Sequence, residues 1–182
     1  MSRDRRILDA AAEAFYEKGF HGVGVDELGT RAGLSGPSIY RHFSGKDEIL
    51  ATLLSEAMDE LMAATVELYG DPALDLGRAI SHHIRFAIDR SHLVLLYQRD
   101  VNAMVDPWRK SFNRRRAQYA ARWESLFLAR YPSLTDGRAA TVSQACLGMI
   151  FSVAAWPENA AQAAHVPALL ERLVHEGLGA LE

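Results

Sequence analysis

The sequence predicts an all-α fold: an N-terminal three-helix head containing a helix-turn-helix over residues 1–45, then a larger helical body over 46–182, of which 46–68 is a connecting helix. Three observations carry this. Apolar residues recur at three- and four-residue spacings in segment after segment. The breaks fall at helix-stopping positions such as Gly19, Gly33, Tyr69-Gly70-Asp71-Pro72 and Pro132. A chain of 182 residues, 49% hydrophobic and 24% charged, is long enough for a small head on a larger body.

Residues 4–18 form the first helix, with Ile7, Leu8, Ala11, Ala14 and Phe15 on one face and Lys18-Gly19 as its stop. Val25 to Ala32 is the second, opened by Asp26 and Glu27, which suit the positive end of the helix dipole. Gly33-Leu34-Ser35 makes the turn. Gly33 can take the positive φ that ends a helix, Ser35 can accept a free N–H of the next one, and Pro37 is tolerated in a first turn. The third helix therefore starts at about Ser35. Ile39 and Phe43 face inward, leaving Gly36, Pro37, Ser38, Tyr40, Arg41 and His42 on an outer face. Two helices joined in this way place the second in a DNA major groove.

The body begins with a long helix from Lys46 to about Leu68 and is broken at Tyr69-Gly70-Asp71-Pro72. Further helices are expected over 75–90, over 91–105 with its apolar run Leu93 to Tyr97, and from Asp106-Pro107 to about Tyr131. Thr135-Asp136 caps a helix continuing to Ala155, and Val166-Pro167 opens the last, through Leu178. These last two carry surplus apolar surface, as an isologous dimer needs.

The net charge of −3 argues against a general polyanion binder, and residues 1–50 hold 7 Lys or Arg against 8 Asp or Glu. A few donors at one edge, with Asp4, Asp9, Glu13 and Glu17 elsewhere, leave site-specific binding possible while excluding tight nonspecific binding. The single Cys146 forms no internal disulfide and reads as a small core residue, with a redox sensor as the alternative. No apolar stretch follows the basic start and no run approaches about 18 apolar residues, so a cytoplasmic protein with no membrane partner is expected. His82 and His83, with Asp89 and His92 nearby, suggest a metal, but adjacent helical positions diverge by about 100° and do not chelate together. There is no zinc spacing, Gly-rich nucleotide loop or nucleophile elbow, so neither a catalytic site nor a cofactor is expected.

The head resembles the TetR family of transcriptional regulators. The resemblance rests on Ile7-Leu8-Asp9-Ala10-Ala11, Phe15, Gly19-Phe20, Val25 through Leu28, Ala32-Gly33-Leu34-Ser35, Ile39-Tyr40-Arg41-His42-Phe43 and Lys46-Asp47-Glu48-Ile49-Leu50, in order and at the family's spacing. It implies a homodimer on a palindromic double-stranded DNA operator, released by a small-molecule effector and usually repressing. Tyr40, His42 and Lys46 match family positions that touch DNA. Backbone N–H groups from Ser35 to Ser38 are expected to meet a phosphate. Base readout falls to Ser38, Arg41, Thr30 or Arg31, with Gly36 and Pro37 in close approach. Gly24 stands where the family often has a hydroxyl residue, so a backbone N–H replaces that contact or it is lost.

In the body the resemblance implies a ligand cavity, and His83, Tyr97, Trp108, Phe112, Trp123, Phe127 and Met149 fall on the helices that surround it in the family. Residues 93–99 and the Arg-rich helix after them resemble regulators of fatty-acid and sterol breakdown that respond to acyl-coenzyme A. In that picture Arg99, Arg109 or Arg115 would meet phosphates. A lipophilic drug or metabolite is the other effector class. The competing reading of the whole chain is a helical-bundle enzyme or metal-binding protein without DNA-binding activity. Its signature would be carboxylates and histidines converging on one face.

Overall fold

The structure, a computed structural model, describes residues 2–66 and 68–179. These form ten α-helices and no strand: α1 Arg3–Lys18, α2 Val25–Arg31, α3 Gly36–Ile39, α4 Lys46–Ala63, α5 Pro72–Asp89, α6 Ser91–Asp100, α7 Trp108–Arg130, α8 Asp136–Ser152, α9 Glu158–Ala161 and α10 Val166–Leu178. Single 3-10 turns follow α6 at Val101–Ala103 and α8 at Val153–Ala155.

The chain divides into two compact units. One comprises residues 1–58 and 92–114, the other 59–91 and 115–182. The first packs α1, α2 and α3 around Ile7, Phe15, Leu28, Ile39, Ile49 and Leu50, all fully buried. Fully burying each such side chain contributes about 1.5–3 kcal/mol. The second is centred on α5, which packs on α8 and α10 through Ile80, Ile84, Ile150, Leu170 and Val174. The division at 45/46 expected from the sequence follows the reading edge, whereas packing takes 46–58 and 92–114 together with the head.

Local chemistry sets most helix ends. Ser2 Oγ accepts the Arg5 N–H at 3.1 Å to start α1, and Gly19, at φ 76°, ends it with its N–H on the Phe15 carbonyl at 2.8 Å. Asp71 Oδ1 accepts from Ala73 and Leu74 at 2.9 and 3.1 Å, so α5 begins at Pro72 rather than at 75. The connecting helix is regular only to Ala63. The Thr65 N–H and Oγ1–H both turn back to the Met62 carbonyl, at 2.9 and 2.8 Å, and tighten the chain there. Thr135 sits at the start of α8 but its side chain caps nothing. The short α9 has no counterpart among the helices that the sequence predicts.

Helix α8 also narrows the expectation about membrane spans. Asp136–Ala155 is long and apolar enough to cross one by length and composition, with a mean hydropathy of 1.2. The same composition serves two faces of the fold: Cys146, Ile150 and Val153 are buried, while Ala145 and Met149 are exposed.

Candidate nucleic-acid interface

The helix-turn-helix is set by how closely α2 and α3 approach. A β-carbon at Gly29 would lie 2.9 Å from the Gly36 nitrogen and 3.1 Å from its Cα, so the crossing requires glycine there. Gly33 adopts φ 66° in the turn, as its sequence position implies. Arg6, to which the sequence alone assigns no role, closes the end of α2: its Nη2 donates to the Ala32 carbonyl at 2.5 Å and reaches the Gly33 carbonyl at 3.5 Å.

The reading helix is shorter than expected. Only Gly36–Ile39 is α-helical, and hydrogen bonds from Arg41 to Ser38 and from His42 and Phe43 to Ile39 carry the turn on to Phe43. Ile39 and Phe43 are buried, as the spacing requires. Pro37, Tyr40 and Arg41 are exposed, Gly36, Ser38 and His42 half-buried, and the Tyr40 side chain projects with 59% of its surface free.

Two expectations at this edge are corrected. Ser35 does not cap α3; its hydroxyl pairs with that of Ser38 at 2.7 Å. The anion site expected at the N–H groups of 35–38 is also weakened, because one helical turn develops little macrodipole. The chain's own Asp26 carboxylate already lies against Gly36, where a methyl group would collide with it.

The other proposed contacts divide by their partners. Arg31 is turned away into ion pairs with Glu17 at 2.8 Å and Glu27 at 3.0 Å, and the bond to Glu17 holds its guanidinium above its ordinary pKa. Thr30 Oγ1 donates to the Asp26 carbonyl at 3.0 Å, and Gly24 is exposed with open space about it. His42 Nδ1 is 2.6 Å from Asp4 Oδ1; an ionised carboxylate only accepts, so Nδ1 carries the proton. Lys46 acts structurally, since its ammonium donates to the Phe20 and Val23 carbonyls at 3.0 and 3.1 Å and stands 4.5 Å from the Phe20 ring centroid. Two of its three N–H groups are thereby engaged.

The expected pocket residues fall in two sets. In the first unit Tyr97 and Phe112 lie 6.1 Å apart between centroids, and Trp108 is half-buried. In the second unit His83, Trp123 and Phe127 are wholly buried, with His83 4.8 Å from Trp123 edge to face, and Trp123 6.0 Å from Phe127. Tyr119 and Phe151, which sequence reasoning does not single out, complete the cluster at 5.8 and 6.2 Å from His83. Tyr119 is visible in principle, one turn before Trp123 on the same face. His83 Nδ1–H donates to the Ala79 carbonyl at 2.6 Å, and burial pushes the imidazole down to about 3, so it is neutral. Neither His83 Nε2 nor Trp123 Nε1 has a hydrogen-bond partner among the described residues. Cys146 is buried, which pushes its thiol up to about 12, far from the thiolate that redox chemistry uses.

Met149 does not line an interior: it is 44% exposed, about 100° round α8 from the buried Ile150. Arg99, expected to meet phosphates, is engaged within the scaffold. Its guanidinium donates to the Phe15 carbonyl, to the Tyr16 carbonyl at 3.2 Å and to Asp100 at 2.9 Å, closing the C-terminus of α1. Asp100, 6% exposed, accepts the Phe20 N–H at 3.3 Å. Arg109 pairs with Asp106 at 3.4 Å, and Arg115 pairs with Asp59.

An all-α chain with a close-packed helix-turn-helix at its N-terminus, followed by a helical body, defines a class, and comparison with known proteins shows what its head is similar to. Residues 7–53, the head with its helix-turn-helix, match the bacterial regulatory proteins of the tetR family. It is 41% identical over 66 residues to the HTH-type transcriptional activator FasR of Mycolicibacterium smegmatis, an alignment covering 35% of this chain and 30% of that protein. The chain thus spans less than a third of that relative's length. The crystal structure of SCO3833, a TetR-family member from Streptomyces coelicolor A3, superposes with a TM-score of 0.73 at 26% identity, covering 92% of this chain and 88% of that one. AibR, solved in complex with isovaleryl coenzyme A and operator DNA, gives a TM-score of 0.79 at 17% identity over 95% and 96% of the two chains, a likeness of fold alone.

Proposed function

We propose that the protein is a sequence-specific DNA-binding transcriptional regulator, a homodimer released from a palindromic operator by a small-molecule effector. The observation that carries this reading is the exposed edge of the helix-turn-helix, where Pro37, Tyr40 and Arg41 project from a turn anchored by buried Ile39 and Phe43. Tyr40 supplies a phosphate donor. Arg41 has no carboxylate partner among the described residues and is available to phosphate or to a guanine edge. Ser38 and His42 flank it. Arg31, committed to two glutamates, is removed from the contact set proposed here.

The dimer surface is assigned to the exposed apolar side chains of α8 and α10, which pack on each other. Met149, Leu169 and Leu173 are 44%, 48% and 47% exposed, on helices whose other faces are buried.

The effector is proposed to be lipophilic, received by the aromatic cluster about His83 and Trp123, where two unpaired buried polar atoms would orient it. An acyl-coenzyme A fits the apolar lining and the precedent of AibR. A lipophilic molecule without phosphates fits the neutral imidazole equally well. Whatever its identity, an effector moves the DNA equilibrium only by its differential affinity for the two states.

Selection of binding sites from random duplexes, followed by anisotropy titration, tests the core of the proposal. A palindromic consensus is expected, with Tyr40→Phe weakening binding to all duplexes alike. Failure to select any consensus would overturn the reading. Adding acyl-coenzyme A, the matching free acids or hydrophobic cations to the bound operator identifies the effector class by which of them releases it.

A further inference from the structure

The second unit contains a groove distinct from the aromatic cluster, although its wall residue His82 lies 5.7 Å from His83 between ring centroids. It is half-open, has a volume of about 720 Å³, and is lined by one face of α5 with His175 of α10 opposite. The α5 residues that form it include Gly77, Arg78, Ser81, His82 and Arg85. Positions 78, 81, 82 and 85 are spaced three, four and seven apart and share one helical face. A rise of about 1.5 Å per residue separates the Arg78 and Arg85 backbones by about 10 Å, two turns along the groove.

Among the described residues the arginines of this groove have no carboxylate partner, in contrast to much of the molecule. Arg5, Arg31, Arg90, Arg99, Arg109 and Arg172 each pair with a carboxylate. Among the described residues neither Arg78 nor Arg85 has one, and no carboxylate lines the groove. The Arg78 guanidinium stacks on the Tyr69 ring, 4.2 Å from its centroid. Such stacking holds the plane of the fork while leaving its edge N–H groups to an anion. His82 is fixed by its Nε2–H on the Glu60 carbonyl at 3.0 Å and forms a wall. His175 stands close to this face of α5: a β-carbon at Gly77 would lie in ordinary van der Waals contact with its Cε1, at 3.8 Å. The donors that remain for an occupant are two guanidinium forks, the Ser81 hydroxyl and His175.

We propose that this groove is a binding site for a small molecule bearing a diphosphate or triphosphate group. Guanidinium forks match phosphate oxygens bidentately, and two of them two turns apart suit an extended anion rather than a single one. The volume lies within the roughly 300–1,000 Å³ of small-molecule sites. A concave groove of that size also suits a small occupant better than the convex backbone of a duplex. The site is independent of the DNA reading and of the effector proposed for the aromatic cluster.

Calorimetric titration of the full chain with tripolyphosphate, ADP, citrate and a nonspecific DNA duplex, at constant ionic strength, tests this. Tripolyphosphate and ADP should saturate one site per chain, and Arg78→Ala with Arg85→Ala should weaken both by about tenfold or more. Both side chains are exposed, so the fold should tolerate their loss. Arg172→Ala, an exposed arginine on α10, serves as the charge control and should bind as the parent does. Operator binding measured on the same preparations reports separately on the regulator reading. The proposal is overturned by no saturable binding of tripolyphosphate at millimolar concentration, by binding that survives the double substitution, or by binding of citrate or duplex alone.

Discussion

Arg99 offers the sharpest test, because sequence and structure give it opposite roles. As a phosphate anchor it would be dispensable for folding. In the structure it closes the C-terminus of α1, with its guanidinium on the Phe15 and Tyr16 carbonyls and its Nε 2.9 Å from Asp100, which in turn receives the Phe20 N–H. Hydrogen bonds involving a charged group contribute about 1.5–3 kcal/mol each when well buried. Here three share one side chain that is 46% exposed, and water re-solvates the freed carbonyls. The cost of Arg99→Ala is therefore about 2 kcal/mol in all, which for a chain of this size is about 4–8 °C in melting temperature. Arg99→Lys should recover less than half of it, since a point charge cannot bridge three acceptors. Thermal melts of the three proteins give the magnitude, and amide hydrogen exchange at Gly19 and Phe20 gives the location. A variant as stable as the parent, with protection at Phe20 unchanged and only its response to an effector lost, would refute the structural role and restore the ligand one.

Three further substitutions follow from the same packing. Gly29→Ala sets a methyl group against the backbone of Ser35 and Gly36 and should cost about 1–3 kcal/mol with loss of operator binding, whereas Gly24→Ala, with nothing within 4 Å, should leave the melting temperature unchanged; equal melts for the two would contradict the close crossing of α2 and α3. Tyr40→Phe should weaken operator binding at constant stability, while Lys46→Ala should lower both, because its ammonium holds two carbonyls of the α1–α2 connection; an unchanged melt for Lys46→Ala would return that lysine to DNA contact alone. His83 titrates near 6.5 unfolded and at about 3 folded, so between those values the unfolded chain binds the extra proton and stability falls as pH drops; the loss is about 2 kcal/mol by pH 5, and denaturant unfolding at pH 7 and 5 should show it in the parent but not in His83→Phe.

What could be read from the sequence were features fixed within a few residues. The face Ile7, Leu8, Ala11, Phe15 is a matter of spacing, Gly33 of allowed φ, and the Ile39–Phe43 pair of one helical turn, and all three stand as read. What could not be read depends on partners far along the chain. Arg99 and Phe15 are 84 positions apart, Lys46 and Phe20 26, and in both cases the acceptor is a backbone carbonyl, which composition does not reveal. Met149 failed for a different reason. Helix α8 is apolar on two faces, so spacing alone could not tell the residue that enters the core, Ile150, from its neighbour that leaves it.

The acidic balance of the head can be understood in these terms. Its carboxylates are largely used within the scaffold. Asp9 and Glu56 hold Arg5 at 2.5 and 3.0 Å, Glu27 takes Lys18 at 2.7 Å and Arg31, and Asp4 holds His42. Arg6 and Lys46 are spent on carbonyls. Arg3 and Arg41 are left exposed with no carboxylate partner among the described residues. A head built this way neutralises few phosphates, so counterion release gives it only weak affinity for arbitrary DNA. In the proposed function its discrimination would rest on fitting Pro37, Ser38, Tyr40 and Arg41 to one groove, and on a dimer presenting that fit twice. The formal charge and the proposed function are therefore compatible: the acids stiffen the reading edge, and in the proposed function the few donors left on that edge would meet the DNA.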